Sequence, residues 1–553
     1  MPAIERRIGL LFLAFCALLV LAGLRALQLG GLKGGSLREK ADTQQVSQVP
    51  VPARRGTITD RKGVELAVSE PADDIAVTPY LIKDPAGAAR RLAPLLHQPL
   101  DAVLRKVVQR HTGFVYLVRQ LPASQAQRIG KLNMPGIQLI PSSRRIYPQR
   151  WMAAQLLGAV GTDGNGLSGL EYARDKTLRG KDGERRLVKD ALGQPISLAD
   201  VRAAQPGHKV TLTLDAAIQD KVEAVLQQVG QKFSPRGATA LVMDPRNGAI
   251  MALANWPRVD ADNLSGAPGY ARQNRAIGST YEPGSTFKAF TVAGALMDHK
   301  VTPSTPFNVP PQLQVADRTI HDAEAHGYET LTTAQILAQS SNIGADLIAA
   351  KVGRTRFDHW VRTFGFGKPT GIDLAGEESG IVPQLQQYSG STMGNLPIGQ
   401  GLAVTPMQMA AAYSAIANGG ILRPPHIIER QGDRTMPIPR GRRIIKPAVA
   451  AQLRSMLVGV LGPGGTASEA SIPGYNLAGK TGTAQKPDPI HGGYSDTKFV
   501  ASFVGFAPAN DPRLLVAVMV DEPQGEIYGG LVAAPAFQAI TSFALPYLGI
   551  PPS

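Results

Sequence analysis

Cysteine is almost missing: Cys16 is the only one in 553 residues, so no disulfide can form within the chain. It sits in the most apolar stretch and reads as a small lipid-facing side chain. The nine histidines form no HExxH pair, and there is no Walker loop, zinc-finger spacing or aromatic-basic RNA signature. These absences remove the common metalloprotease, nucleotide and nucleic-acid motifs. His321 and His326, with Asp322 between them, could ligate a metal, but a polar loop is the favoured reading. No metal or other cofactor is expected. Acidic residues are the scarcer charge, 43 against 58 basic ones, for a net +15. That balance suits an anionic membrane surface or an acidic polymer, and nucleic acid ranks last. Low-complexity tracts are also lacking. The 59 glycines and 43 prolines indicate many turns in a globular chain that is long enough for two or three domains.

There is one long apolar run. Ile8 to Leu24 carries no charge and lies at the short end of the roughly 17–25 residues that span a bilayer. Arg25 can snorkel, and "ALQL" continues the helix beyond it. An uncleaved anchor is favoured over a cleaved signal peptide, for which "VLA" is a poor cleavage site. Basic residues flank the run on both sides, so their count does not orient it. Long downstream domains translocate largely regardless of charge. The expected order is a cytoplasmic tail at 1–7, a transmembrane anchor at 8–29 and a polar juxtamembrane helix at 30–47. An elongated α+β domain follows at 48–207, then a larger second domain at 208–548 and a tail at 549–553. The bulk of the chain is expected outside the membrane.

The second domain opens with a strand and a helix, "KVTLTLDAAIQDKVEAVLQQV". "ATALVMDPRNGAIMALANW" then alternates as a hairpin turning at 244–248. "YNLAGKTGTAQK" and the hairpin "KFVASFVGFAPANDPRLLVAVMVDEP" supply strands near the C-terminus, and the middle is helical. This predicts one antiparallel sheet closed by N- and C-terminal hairpins, with helices around a buried central helix.

That helix opens at "EPGSTFKAF". Pro283 and Gly284 break the chain, so Ser285 falls at a helix N-terminus. Ser285 and Lys288 are at i and i+3 and share a face. A serine hydroxyl needs a base, and a lysine near 10.4 is a poor one unless burial and a second cation push it down. The helix N-terminus favours a developing oxyanion. An S-x-x-K match alone is weak. A second one, Ser495 to Lys498, lies in a glycine-proline loop and reads as solvated surface. Ser285 gains weight from "SSN" at Ser340 to Asn342 and "KTG" at Lys480 to Gly482, because these three elements together mark penicillin-binding proteins and class A β-lactamases.

With those motifs in place, the chain resembles a class B penicillin-binding protein, a peptidoglycan DD-transpeptidase with a serine β-lactamase-like domain. "RRGTITDRKG" and "GLSGLEYARDKTLRGKDG" resemble the family's pedestal boxes. "IGQGLAVTPMQMAAAYSAIANGG" and "YGGLVAAPAF" resemble stretches of its transpeptidase domain. "EPGS" and "YGGLVAAP" lean towards the septal, FtsI-type branch; the elongation branch more often has proline at position 282. The resemblance implies that Ser285 is acylated and Lys288 is its base. By the same resemblance, Ser340, together with Lys480, relays a proton to the leaving amine.

 The resemblance further implies that Asn342 holds a substrate amide and that Lys480, Thr481 and Thr483 recognise the donor's terminal carboxylate. Gly482 leaves room for a peptide added along the strand. The backbone N–H groups of Ser285 and Thr483 form the oxyanion hole.

The implied ligands are D-Ala-D-Ala stem peptides, an acceptor amine and β-lactams as covalent inhibitors. The implied partners are a SEDS-type glycosyltransferase such as FtsW and other divisome membrane proteins, since no glycosyltransferase domain is visible in the chain. Three rivals are weaker. A class A β-lactamase needs a deacylating glutamate in an "ExxLN" pattern, which does not occur here. A β-lactam sensor needs several membrane spans and a cytoplasmic effector. A divisome scaffold with incidental catalysis is partly compatible with the main reading.

Overall fold

The computed structural model describes residues 2–32, 46–109, 111–189, 195–488 and 490–552. Pro2–Leu27 is one α-helix, and its apolar side chains stay exposed, Leu10, Leu11 and Leu13 by about 70%. A bare apolar helix with nothing packed on it fits a single membrane anchor. The other helical stretch long and apolar enough to span, Gly529–Tyr547, is half buried in the protein. The juxtamembrane segment expected at 30–47 lies mostly outside the described residues.

The chain divides into two compact units. The first comprises residues 1–54, 71–143 and 180–207. Within it, Val46–Val51, Gly183–Lys189 and Pro195–Arg202 form a three-stranded antiparallel sheet. A separate small core gathers Ile75, Leu92, Val103, Leu117 and Ile129. The helix Pro85–Leu96 starts where Asp84 accepts from Gly87 N, with proline at its first position, a favourable start because that N–H has no helical partner.

The second unit comprises residues 55–70, 144–179 and 208–553. It joins the two pedestal boxes through ion pairs. Arg55 meets Glu171 at 2.5 Å and Asp175 at 2.6 Å, and Arg145 meets Glu171 at 2.6 Å. Glu171 is fully buried, and two guanidinium groups offset the cost of stripping its water.

The elements that carry the site follow in chain order: α1 (Ala216–Phe233), β1 (Gly237–Asp244), β2 (Ala249–Trp256), α2 (Lys288–Met297), α3 (Thr333–Gln339), α4 (Asn342–Val352), α5 (Pro406–Ala417), β3 (Ala478–Pro487), β4 (Tyr494–Ala507), β5 (Leu514–Asp521) and α6 (Ala534–Tyr547). The sheet runs β2-β1-β5-β4-β3 and is antiparallel throughout. Both hairpins form at the predicted positions, and the C-terminal one lies between the N-terminal hairpin and β3. The central strands β1 and β5 are buried over nearly their whole length, so their sequences read as continuous apolar runs rather than clean alternation.

Two helices are buried over nearly their whole length. In α2 every residue from Lys288 to Leu296 is buried, and α5 is buried throughout. Phe287 and Phe290 pack with Phe364, Phe366 and Tyr413 at ring-centroid distances of 4.8–5.4 Å. Such aromatic pairs contribute about 0.5–1.5 kcal/mol beyond burial. They hold α2 as a rigid post beneath the residues that precede it.

Candidate active site

Ser285 does not lie in the α-helix itself. Gly284–Phe287 is a 3₁₀ turn, and α2 begins only at Lys288. The shared face survives, because residues i and i+3 eclipse in a 3₁₀ turn. The turn is pinned from several sides. Gly284 has φ +54° and donates its N–H to Gly399 O at 3.0 Å. A Cβ on Gly399 would lie 2.1 Å from Gly284 O. Thr286 Oγ1 donates to Pro283 O at 2.7 Å, and Tyr413 Oη donates to Thr286 O at 2.7 Å.

Lys288 is fully buried. Its Nζ donates to Ser340 O, to Asn342 Oδ1 at 2.7 Å and towards Ser340 Oγ at 3.3 Å. A carbonyl and an amide oxygen are acceptors only, so these two bonds use both N–H groups of a neutral amine and leave its lone pair free. The Ser285 side chain is partly exposed. No hydrogen bond joins its hydroxyl to Lys288 among the described residues, and catalytic bonds are often long before substrate arrives.

The "SSN" element links α3 to α4. Ser340 ends α3 with φ 68°, an uncommon left-handed conformation for a serine. Ser341 caps α4 by accepting from Gly344 N at 2.8 Å. Asp322 fastens this junction: it accepts from Ser341 Oγ at 2.7 Å, from Ile343 N at 3.0 Å and from Asn342 N. Asn342 is occupied at both ends, since its Nδ2 donates to His321 O at 2.8 Å. Asp322, His326 and Glu329 lie close together, whereas His321 enters the group only through its carbonyl. The sequence flagged Asp322 as part of a polar loop and missed its role in holding the Lys288 partners. An aspartate ahead of "SSN" carries no local signal of that contact.

Lys480 is also fully buried, on β3. Its Nζ donates to Thr481 Oγ1 at 3.2 Å. Thr481 Oγ1 meets Thr466 Oγ1 at 2.7 Å, and Thr483 Oγ1 accepts from Gly529 N at 2.9 Å. β3 packs on the Ser285 turn. A Cβ at Gly482 would lie 2.4 Å from Ser502 Oγ and 2.8 Å from Pro283 O. The glycine therefore clears the protein's own Ser285 turn, whereas the sequence reading reserves that space for an added peptide.

Burial drives the electrostatics. It brings Lys288 down to about 7, against the opposing pull of Asp322 and Asp346. Lys480 lies well below its ordinary value, first from burial and then from the charge of Lys288. The influence between the two lysines thus falls on Lys480, and Lys288 is lowered by burial without help from the second cation that its chemistry suggested.

The other S-x-x-K match stands apart from this cluster. Ser495 and Lys498 belong to the start of β4 rather than to a loop, and Lys498 is exposed. Ser495 Oγ accepts from Lys498 N at 3.2 Å, a local turn contact. A cavity of about 350 Å³ lies near the far end of β3, bounded by Glu282, Gln485 and Asp521, and is lined by none of Ser285, Lys288, Ser340, Asn342 or Lys480.

Residues 238–542 match the penicillin-binding protein transpeptidase domain, and residues 50–212 match the penicillin-binding protein dimerisation domain. The chain belongs to the class B penicillin-binding proteins, of the FtsI type. These are peptidoglycan D,D-transpeptidases, with stem peptides and β-lactams as ligands. It is 35% identical to the peptidoglycan D,D-transpeptidase FtsI of Escherichia coli K12 over 97% of this chain and 91% of that protein. It is 34% identical to the stage V sporulation protein D of Bacillus subtilis, over 94% of this chain and 82% of that one. The crystal structure of penicillin-binding protein 3 from Mycobacterium tuberculosis with aztreonam superposes with a TM-score of 0.72 at 31% identity, covering 91% of this chain and 98% of that one.

Proposed function

We propose that this class B penicillin-binding protein cross-links stem peptides through an acyl-enzyme on Ser285. Ser285 Oγ attacks the carbonyl carbon of the penultimate D-Ala while its proton passes to Lys288 Nζ. The backbone N–H groups of Ser285 and Thr483 receive the oxyanion. Ser340, with Lys480, delivers a proton to the departing amine of the terminal D-Ala, and an ester to Ser285 remains. An amine from a neighbouring stem then attacks the ester, gives up a proton and returns one to Ser285 Oγ. Lys480, Thr481 and Thr483 receive the donor's carboxylate, Asn342 orients a substrate amide, and Gly482 lets β3 approach the Ser285 turn.

One observation carries this reading. Lys288 is a buried amine brought to about 7, three residues from a partly exposed hydroxyl, with its hydrogen bonds arranged by Ser340 and Asn342. Labelling with a fluorescent penicillin, followed by mass spectrometry of the modified peptide, tests it. Label is expected on the peptide containing Ser285, and label on any other peptide overturns the assignment.

The septal branch is the favoured role. Glu282 stands where the elongation branch more often has proline, and FtsI is among the relatives. The anchor then leaves residues 1–7 in the cytoplasm and the catalytic domain outside the membrane. An FtsW-like glycosyltransferase and other divisome membrane proteins are the partners. Depletion followed by imaging checks the branch: filaments are expected, and rounded cells would assign the protein to elongation.

A further inference from the structure

Asp346 is a buried carboxyl that the catalytic scheme leaves unused. It lies on α4 four residues beyond Asn342, a spacing that puts two side chains on one helix face. Asn342 holds Lys288 Nζ at 2.7 Å, and α4 packs against α2, which carries Lys288. Asp346 is 4% exposed, and neither carboxyl oxygen has a hydrogen-bond partner among the described residues. Buried carboxylates are ordinarily paired or hydrogen-bonded, because an isolated one is strongly disfavoured.

Two charged groups act on Asp346 among the described residues: Lys288 from α2, and Asp322 from the loop that fastens the start of α4. Burial and Asp322 favour its neutral form, Lys288 favours its charged form, and the balance lifts it to about 7. Lys288 is brought down to the same region, and Lys480 on β3 is itself lowered by burial and by the charge of Lys288. A buried acid and a buried base that titrate together on facing helices behave as one coupled unit.

We propose that Asp346 is a positioning residue for acylation, sharing a single proton with Lys288. In one arrangement the pair is an ammonium and a carboxylate; in the other it is an amine and a carboxylic acid. The two have the same net charge and the same number of protons. The proton missing from Nζ in the reactive arrangement therefore resides on a carboxyl oxygen of Asp346. The neutral arrangement is the one with a free lone pair on Lys288, and the ammonium–carboxylate arrangement, in which the Asp346 charge retains the proton on Nζ, competes with it.

The inference rests on Lys288 acting as the base for Ser285. The test is the second-order rate of acylation by a fluorescent penicillin across pH, using the full-length protein in detergent. Asp346→Asn removes the negative charge that raises Lys288, so the acid limb is expected to move to lower pH by roughly one pH unit, the low end of what a nearby opposite charge does. Asp346→Glu is expected to bring the limb back towards the wild-type position. A purely structural role would lower the rate equally at every pH.

An unmoved limb, or one displaced to higher pH, overturns the proposal. If Asp346→Asn does not fold, Asp346→Ser is read in the same way. If neither folds, infrared spectra of the wild type decide. A protonated-carboxyl band that fades with rising pH at the midpoint of the acylation limb supports the pair, and its absence overturns it. Wild-type label at Ser285 with an unmoved limb in Asp346→Asn defeats only this inference. Wild-type label elsewhere defeats the catalytic reading itself.

Discussion

Replacing Lys288 with methionine should stabilise the fold while abolishing acylation, and the stabilisation should shrink as pH rises. The native lysine titrates at about 7, against an ordinary 10.5. Its folded value lies below its unfolded one, so the unfolded chain binds the extra proton and the lysine destabilises the fold most at low pH. At about 1.4 kcal/mol per pH unit, the cost is roughly 4 kcal/mol at pH 7 and roughly 2 kcal/mol at pH 9. Methionine is of similar length, uncharged and suited to a dry site. It forfeits the bonds to Ser340 and Asn342, at about 1 kcal/mol each, at either pH. Asp346 reinforces the trend, since without Lys288 it loses the cation that lowers it and becomes costlier to ionise as pH rises. Urea denaturation at the two pH values measures the difference. Lys288→Met should lose at least about 2 kcal/mol of its advantage between pH 7 and pH 9. An advantage that is constant with pH would refute the claim that Lys288 is held near neutrality by burial.

Gly482→Ala should slow acylation by at least about tenfold, because the new methyl meets Ser502 Oγ and Pro283 O; such overpacking costs about 1–3 kcal/mol, and labelling rates together with a thermal melt measure both effects. Ser341→Ala removes the α4 cap and its bond to Asp322 and should cost about 1 kcal/mol in urea denaturation. Glu171→Gln weakens the pairing with Arg55 and Arg145 and should destabilise the second unit by roughly 3–5 kcal/mol; a change under about 1 kcal/mol would mean that the pedestal boxes are held by packing alone.

The parts of the site that were legible in the sequence are those whose chemistry is local. Ser285 and Lys288 were marked by their spacing at the start of an apolar helix, and they gained weight only with the contiguous SSN and KTG elements that carry Asn342 and Lys480. The two hairpins were equally readable, because the turn residues near 244–248 and 508–512 interrupt apolar runs of strand length. What could not be read were contacts between segments far apart in sequence. Asp322 fastens Ser341, Asn342 and Ile343 across about twenty residues of loop. Gly482 is required by Pro283 and Ser502, neither of which its own strand pattern mentions.

Asp346 shows why such a gap matters for mechanism. In sequence it is one acidic residue in the helix "NIGADLIAAKV", and the ordinary expectation is that it faces solvent. Burial against α2 turns it into a proton acceptor beside the base. On the proposed mechanism the motifs supply the reacting atoms and carboxyls outside them set the charge state, so closely related chains with identical S-x-x-K, SSN and KTG elements should differ in the pH at which they acylate wherever position 346 changes its charge.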